Sequence, residues 1–394
     1  MRTVVVPWVV SIAALAQIAG ASGDGTAVRR PGPPPRILWR VADEGRGRPA
    51  ADDAMAYFLS KRHRVVAVSA ATGAPRWQRS TDGIAETTEG SAVVLAGSVL
   101  VAGDWDLIAF DRATGAFRWR FIPAVGYAPG FYLGGASGRT VFAGSPAGRV
   151  YAVDAETGDL RWSTLVVDDG QSTVFQPAVE GPVLVAGFTS FGIPHTGGVT
   201  MLDTESGRVL WRTWFPASSY NRTFGTGSTG YPVFTDSAIV ATAGNGFVYG
   251  LSRTTGAILW SLPPITDIPA ILQGPFPLPP SPEGADFRPL SYSAGMLFVG
   301  SLKGQVVAYD LATRKERWRY HNERSGSVAF ALTSDERSVY VPYTSGHHIA
   351  FNVQSGAERW HTETSDDGLT WPAYVHGDRI YLSGTEGGFF AMAR

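Results

Sequence analysis

The residue types that could carry out chemistry are few along this chain, and they lie far apart. There are seven histidines. They are His63, His195, His321, His347, His348, His361 and His376. None belongs to a closely spaced motif of the kind that holds a metal on a helix. Adjacent residues of an extended segment point to opposite faces, so His347 and His348 cannot easily share an ion. We therefore predict no metal site and no catalytic residue.

The chain has no cysteine. A disulfide, a thiolate metal site and a cysteine nucleophile are therefore excluded, and so is a lipid anchor through cysteine. The formal net charge is −1. Binding to nucleic acid draws on a strong basic excess or a basic stripe, so we expect no nucleic-acid partner.

Aromatic side chains concentrate in three long segments rich in proline and glycine, at 187–198, 213–230 and 261–289. We take them as candidate partner-binding or ligand-binding loops, because aromatics on loops are enriched at interfaces and pockets. The alternative is that these loops fold down onto the protein and close the opening of the fold with their own aromatic side chains. The candidates are Phe188, Phe191, His195, Trp214, Phe215, Tyr220, Phe224 and Phe276.

The elements that must position these loops come from an internal repeat, Asp-x-x-Thr-Gly-x-x-x-Trp, and its looser copies. The copies are Ser69–Trp77, Asp111–Trp119, Asp154–Trp162, Asp203–Trp211, Ser252–Trp260, Asp310–Trp318 and Asn352–Trp360. A period of roughly 40–50 residues is typical of four-stranded propeller blades. Alternating apolar runs between glycine-containing turns predict β-hairpins in each repeat.

The motif has a direct structural interpretation. Its Asp, Ser or Asn accepts backbone N–H groups to form a tight turn that glycine completes, and its tryptophan packs between neighbouring blades. In the copy at Asp310, Arg314 replaces the glycine, so we expect a looser turn there. The last repeat stops at Arg394, and the missing strand with its tryptophan lies at 36–40, which contains Trp39.

We therefore predict an all-β fold: an eight-bladed β-propeller of four-stranded antiparallel blades, in which an N-terminal strand closes the last blade. The structural docking tryptophans fill one position in every blade. They are Trp39, Trp77, Trp119, Trp162, Trp211, Trp260, Trp318 and Trp360.

The motif and its spacing resemble the quinoprotein-like (PQQ-like) β-propeller repeat family, from Arg36 to Arg394. Within that family the size is similar to that of the periplasmic propeller subunit of the outer-membrane β-barrel assembly machinery. This resemblance implies a non-catalytic scaffold that binds another envelope protein or a peptide segment and requires no cofactor. It assigns no residue of this chain to a docking surface.

The enzymatic alternative within the resemblance is a small quinoprotein dehydrogenase that holds pyrroloquinoline quinone (PQQ) and calcium in the ring. Under it, Asn245 in a Gly-Asn-Gly segment and Trp371 on a predicted inner strand would bind the cofactor. The Asn-Gly pair is equally typical of a hairpin turn. The cysteine pair typical of these enzymes is absent. A propeller that binds a small molecule or a glycan is a third alternative.

The N-terminus has a character of its own. Residues 1–21 have a basic start, a short apolar run and small residues, which are typical of a secretory signal peptide, with an uncleaved anchor as the alternative. Residues 22–35 form a linker rich in proline and glycine, and 36–394 the propeller. We expect a periplasmic or secreted protein without a transmembrane segment in the mature chain.

Overall fold

A computed structural model describes residues 32–33, 35–43, 45–81, 92–97, 99–103, 106–123, 130–170, 172–190, 196–216, 231–244, 246–263, 290–301, 304–322, 331–363, 371–384 and 388–394. The predicted signal peptide and most of the predicted linker lie outside these residues. Within the described ranges, no helix is long and apolar enough to cross a membrane.

All regular structure in these ranges is β-strand. The first half of the chain forms β1 Ile37–Val41, β2 Gly45–Ala51, β3 Met55–Ser60, β4 Arg64–Ser69, β5 Pro75–Ser80, β6 Ala92–Ala96, β7 Val99–Gly103, β8 Leu107–Asp111, β9 Phe117–Phe121, β10 Tyr132–Ser137, β11 Thr140–Gly144, β12 Arg149–Asp154, β13 Leu160–Leu165, β14 Ser172–Val174, β15 Ala178–Glu180, β16 Val183–Ser190 and β17 Thr196–Asp203. The second half forms β18 Val209–Trp214, β19 Val233–Phe234, β20 Ile239–Thr242, β21 Val248–Leu251, β22 Ile258–Leu262, β23 Leu290–Ser293, β24 Met296–Gly300, β25 Gln305–Asp310, β26 Lys315–His321, β27 Thr333–Ser334, β28 Ser338–Pro342, β29 His347–Asn352, β30 Glu358–Glu363, β31 Tyr374–His376, β32 Arg379–Gly384 and β33 Gly388–Ala393.

The strands follow the predicted antiparallel hairpin order, and each repeat runs from an inner strand to an outer one. The sheet β10-β11-β12-β13 is representative. Its second strand is buried throughout, whereas no residue of the outer strand β13 is fully buried. The middle strands are packed between neighbouring sheets on both faces, which explains why they are continuous apolar runs.

The number of blades differs from the prediction. Hydrogen bonding divides the described strands into seven sheets instead of eight, because β5-β4-β3-β2-β6-β7-β8-β9 form a single eight-stranded sheet. Strand β2 leaves its ladder with β3 at a bulge between Arg46 and Ala50, and Arg48 then pairs in parallel with Ala92 of β6. Two consecutive repeats thus share one sheet, and the prediction of eight separate blades is wrong.

The closing strand lies where the sequence predicts it. Strand β1 pairs antiparallel with β33, so the first and last strands of the chain belong to one sheet, β1-β33-β32-β31. Trp39 of this sheet packs in one apolar cluster with Phe58 and Val68 of the next repeat. Similar clusters join each of the other neighbouring repeats. Strand β1 is an outer strand, and Trp39 is its one fully buried residue.

The repeated motif forms the turn and the tryptophan contact expected of it. In the repeat of β8 and β9, Asp111 Oδ1 accepts from the Thr114 N–H at 2.9 Å. The Gly115 N–H donates to the Asp111 carbonyl at 2.8 Å. The indole N–H of each of six tryptophans donates to a carbonyl in the turn of the following repeat, at 2.8–3.2 Å. These are Trp39, Trp77, Trp119, Trp162, Trp211 and Trp318. The indole then covers the glycine of that turn, as Trp119 covers Gly158.

The turn at Arg314 is not looser than the others, so that expectation is wrong. Arg314 has φ 57°, the left-handed conformation that glycine has elsewhere in the motif, and its N–H donates to the Asp310 carbonyl at 2.7 Å. Its Cβ stands where a glycine leaves room for the tryptophan of the preceding repeat. That tryptophan, Trp260, packs over Gly250 on the adjacent strand of its own sheet. We infer that Gly250 provides the space for the Trp260 indole that Arg314, in place of a glycine, does not leave.

Candidate binding surface and central cavity

Only part of the predicted loop surface lies within the described residues. The positions outside them are Phe191, His195, Tyr220, Phe224, Phe276 and the alternative cofactor residue Asn245. The predicted hairpin connection at 187–198 is mostly strand, because β16 extends to Ser190 and β17 begins at Thr196. Three of the predicted aromatics lie near the strand ends that lead into these segments. They are Phe188, Trp214 and Phe215.

These three aromatics have different environments. Phe188 is fully buried in the core between two repeats. Phe215 is 5% exposed and stacks on Tyr249 at a centroid distance of 4.6 Å. Trp214, the last residue of β18, is 45% exposed and meets the Phe188 ring edge-on at 4.9 Å. Of the three, Trp214 alone presents a large aromatic surface to solvent, on the face where β18 leads into 217–230.

The inner strands surround a cavity of about 490 Å³. Its wall contains residues of β10, β15, β19, β23 and β27, together with Trp371, Pro372 and Arg48. Hydroxyl groups bridge neighbouring repeats at this wall. Ser291 and Ser334 are joined at 2.6 Å, and the Thr333 hydroxyl donates to the Ala373 carbonyl at 2.7 Å. The cavity has the size of a small-molecule site.

Arg48 is the cationic residue among the described residues that line this cavity. Its side chain is open to the cavity yet enclosed by the ring, and this burial lowers the pKa of the guanidinium, while Tyr374 and Tyr231 act in the opposite direction. The guanidinium carbon lies 6.0 Å from the centre of the Tyr374 ring. Arginine keeps its charge at neutral pH. The cavity can therefore attract an anionic group.

Sequence reasoning did not find Arg48. Its strand, Gly45-Arg-Gly-Arg-Pro-Ala-Ala, lacks the β-branched and aromatic residues that indicate a strand. The signal that could have identified it is its position. This segment directly precedes the clearly predicted hairpin of β3 and β4, where the inner strand of a repeat is expected.

Trp371 also lines the cavity. The sequence predicted this residue on an inner strand, but it lies ahead of the inner strand β31. The backbone N–H of Trp371 donates to the Ser383 carbonyl at 3.0 Å. The Trp371 carbonyl lies 3.1 Å from Nε2 of His348, which is fully buried. Burial lowers the pKa of His348 to about 4, so this ring is neutral at neutral pH and its Nε2–H can donate to Trp371.

Antiparallel blades joined by tryptophan-to-turn contacts define the chain as a β-propeller of PQQ-like repeats. The chain belongs to the family described as outer membrane protein assembly factor BamB. The model of that family matches residues 34–262 and, in an overlapping second match, 195–394.

Individual relatives agree with this assignment. The chain is 26% identical over 259 residues to the outer membrane protein assembly factor BamB of Yersinia pestis, which covers 62% of this chain and 59% of that protein. The chain thus spans about three fifths or less of the length of the curated relatives that it matches.

Solved structures share the fold. BamB from Moraxella catarrhalis has a TM-score of 0.65 at 19% identity, covering 90% of this chain and 98% of that one. The quinohemoprotein alcohol dehydrogenase ADHIIG from Pseudomonas putida HK5 has a TM-score of 0.70 at 15% identity, covering 90% and 72%. Both likenesses are at the level of fold.

The described cavity does not fit a calcium–quinone pair. Calcium binds carboxylate and carbonyl oxygens, usually six to eight of them. No Asp or Glu occurs among the described residues of the cavity wall, and the Ser291 and Thr333 hydroxyls bond to neighbouring repeats. Arg48 and Trp371 could contact the acidic groups of the quinone, but the described wall supplies no carboxylate for the metal.

Proposed function

We propose that this chain is an exported, non-catalytic propeller that acts as a protein-binding scaffold in outer-membrane protein assembly. The observation that carries this proposal is the match of the BamB family model across 34–262 and 195–394. The proposed location is the periplasm, or the outside of the cell, after removal of 1–21. The partner is another envelope protein or a segment of one.

The geometry supports a binding role at the face that carries Trp214. A closed ring holds its strands rigidly, so function concentrates on the loops and strand ends at its faces. Trp214 is 45% exposed, although tryptophan is usually largely buried. Its edge-on contact with Phe188 holds the ring in a fixed orientation. Exposed and oriented tryptophans are enriched among the residues that dominate protein interfaces.

Gene deletion in the organism that encodes the chain tests this proposal. We expect the amount of folded, heat-modifiable β-barrel protein in the outer membrane to fall and to recover on complementation with the wild-type gene. Complementation with the Trp214→Ala variant should restore less folded β-barrel protein than complementation with the Phe117→Ala variant. Phe117 is a matched control, because it is an aromatic residue 61% exposed at the start of an outer strand, whereas Trp214 ends one. Unchanged barrel proteins in the deletion strain would contradict the proposal.

The cavity favours a second candidate function, the binding of a small acidic molecule. Arg48 supplies the positive charge, and apolar residues such as Leu290 and Leu332 supply the wall. A thermal-shift screen with small organic acids and acidic sugars tests this candidate, since a ligand that binds the folded state raises the unfolding temperature. A shift in wild type that disappears in Arg48→Gln is the expected result. Equal shifts in both proteins would exclude the cavity as the binding site.

A further inference from the structure

The pairing of β29 with β30 brings two histidines and a glutamate together on one face of the sheet, at the end of the hairpin away from its turn. His347 begins β29 and is the cross-strand partner of Glu363, which ends β30. His361 lies two residues before Glu363, so all three side chains point to the same side. His348 points to the opposite side and is buried.

The potential ligand atoms of these residues lie within 4.8 Å of one another. His347 Nδ1 is 2.8 Å from His361 Nε2 and 3.5 Å from Glu363 Oε1. In a tetrahedral zinc site with bonds of about 2.0–2.1 Å, ligand atoms are separated by about 3.4 Å. The imidazoles need to part by only about half an ångström to accept an ion between them. Such a shift is within the range of a side-chain rotation.

We propose that His347, His361 and Glu363 form a zinc(II) site. Two imidazoles and one carboxylate are a donor set that binds zinc and leaves a fourth position for water. The burial of the set fits this use. The His347 side chain is 16% exposed, whereas that of Glu363 is 58% exposed, so the site opens to solvent on the carboxylate side. Among the parts of the chain that the structure describes, no other group of three such residues meets this spacing.

The site would join the start of β29 to the end of the outer strand β30, at the point where β30 leads into 364–370. A metal there links strands that are otherwise held by ladder hydrogen bonds and by the contact between the two imidazoles. The proposal revises the expectation that no histidine binds a metal. That expectation considered neighbours in sequence, whereas the second histidine comes from the adjacent strand.

Metal titration of the full chain, prepared without a polyhistidine tag and stripped with a chelator, tests the proposal. We expect zinc to bind with one-to-one stoichiometry in calorimetry, and cobalt(II) in the same site to show the visible absorption of a tetrahedral ion. His361→Gln should weaken zinc binding by more than about 100-fold, and Glu363→Gln by about 10-fold. Glu363 is exposed, so its variant serves if His361→Gln fails to fold.

His376→Gln is the matched control, because Nε2 of His376 also contacts a carboxylate, at 2.8 Å from Asp53, without a second histidine. The zinc affinity of this variant should lie within about 2-fold of that of the wild type. The proposal is overturned if wild type binds no stoichiometric zinc, if Glu363→Gln and His361→Gln bind as wild type does, or if His376→Gln loses binding equally.

Discussion

At the scale of single residues, the fold depends on the fit between each docking tryptophan and the glycine that it covers. Gly158 has φ 79°, and a Cβ placed on it would lie 2.7 Å from Cδ2 of Trp119. The glycine is therefore needed twice, for its backbone conformation and for the space it leaves. The same contact recurs under Trp39, Trp77, Trp162, Trp211 and Trp318.

We predict that Gly158→Ala lowers the free energy of unfolding more than an alanine substitution at a glycine that also has a positive φ but has no neighbouring atoms where the new Cβ would lie. Gly138 is that control, since it has φ 55° and nothing within 4 Å of the added atom. Overpacking should add about 1–3 kcal/mol to the backbone cost for Gly158→Ala. Thermal unfolding of the two variants measures the difference. Equal melting temperatures would mean that the indole contact is loose.

The pair of Gly250 and Arg314 supports a second prediction. Gly250→Ala should be strongly destabilising, because the new Cβ would overlap the indole of Trp260. Arg314→Gly should partly rescue it, since it frees the usual place for the indole and removes the strain of an arginine at φ 57°. A double-mutant cycle measured by thermal unfolding should give a coupling of roughly 1 kcal/mol or more. Additive effects would show that Trp260 is placed independently of Arg314.

At the scale of elements, a carboxylate or amide oxygen holds the turn in five of the seven motif copies. Hydrogen bonds from Arg118 and Thr114 lower the pKa of Asp111 to about 2. A depressed carboxyl pKa stabilises the fold above the unfolded value of about 4, and this contribution is lost as the pH falls towards 2. Solvent screening limits it to roughly 1 kcal/mol or less.

We therefore predict that Asp111→Asn keeps the turn and removes this part of the acid sensitivity. Asn352 holds the corresponding turn in the last copy of the motif, where its Oδ1 accepts from the Ser355 N–H at 2.9 Å. Melting temperatures of wild type and Asp111→Asn, measured from pH 7 to pH 2.5, should differ most near neutrality and converge in acid. A constant offset across this range would show that ionisation of Asp111 does not matter.

Much of the architecture was predictable from the sequence, because the turn motif and the tryptophan are local signals repeated at one spacing. The parts that were not predictable depend on long-range geometry. Strand β2 has a poor strand composition, and its bulge at Arg46 merges two repeats. The contact of His347 with His361 needs the register of a hairpin, which the residues alone do not show.

At the scale of the whole molecule, the N-terminal strand completes the last sheet and thereby closes the ring. Trp39 is 7% exposed, and its indole N–H donates to the Ala70 carbonyl at 2.8 Å. We predict that Trp39→Ala destabilises the protein by about 3–5 kcal/mol, through the cavity it leaves between the first and last sheets. Trp214→Ala, at an exposed position, should cost at least about 2 kcal/mol less. Similar losses in thermal unfolding would argue against closure through β1.

The central claim is that the face carrying Trp214 binds a component of outer-membrane protein assembly. Site-specific photo-crosslinking tests it most directly, with a photoreactive phenylalanine analogue at Trp214 and, as control, at Phe117. The account predicts an adduct in intact cells with an outer-membrane β-barrel protein or an assembly component at position 214, identified by mass spectrometry, and none at position 117. The absence of such an adduct at 214, or equal adducts at both positions, would contradict it.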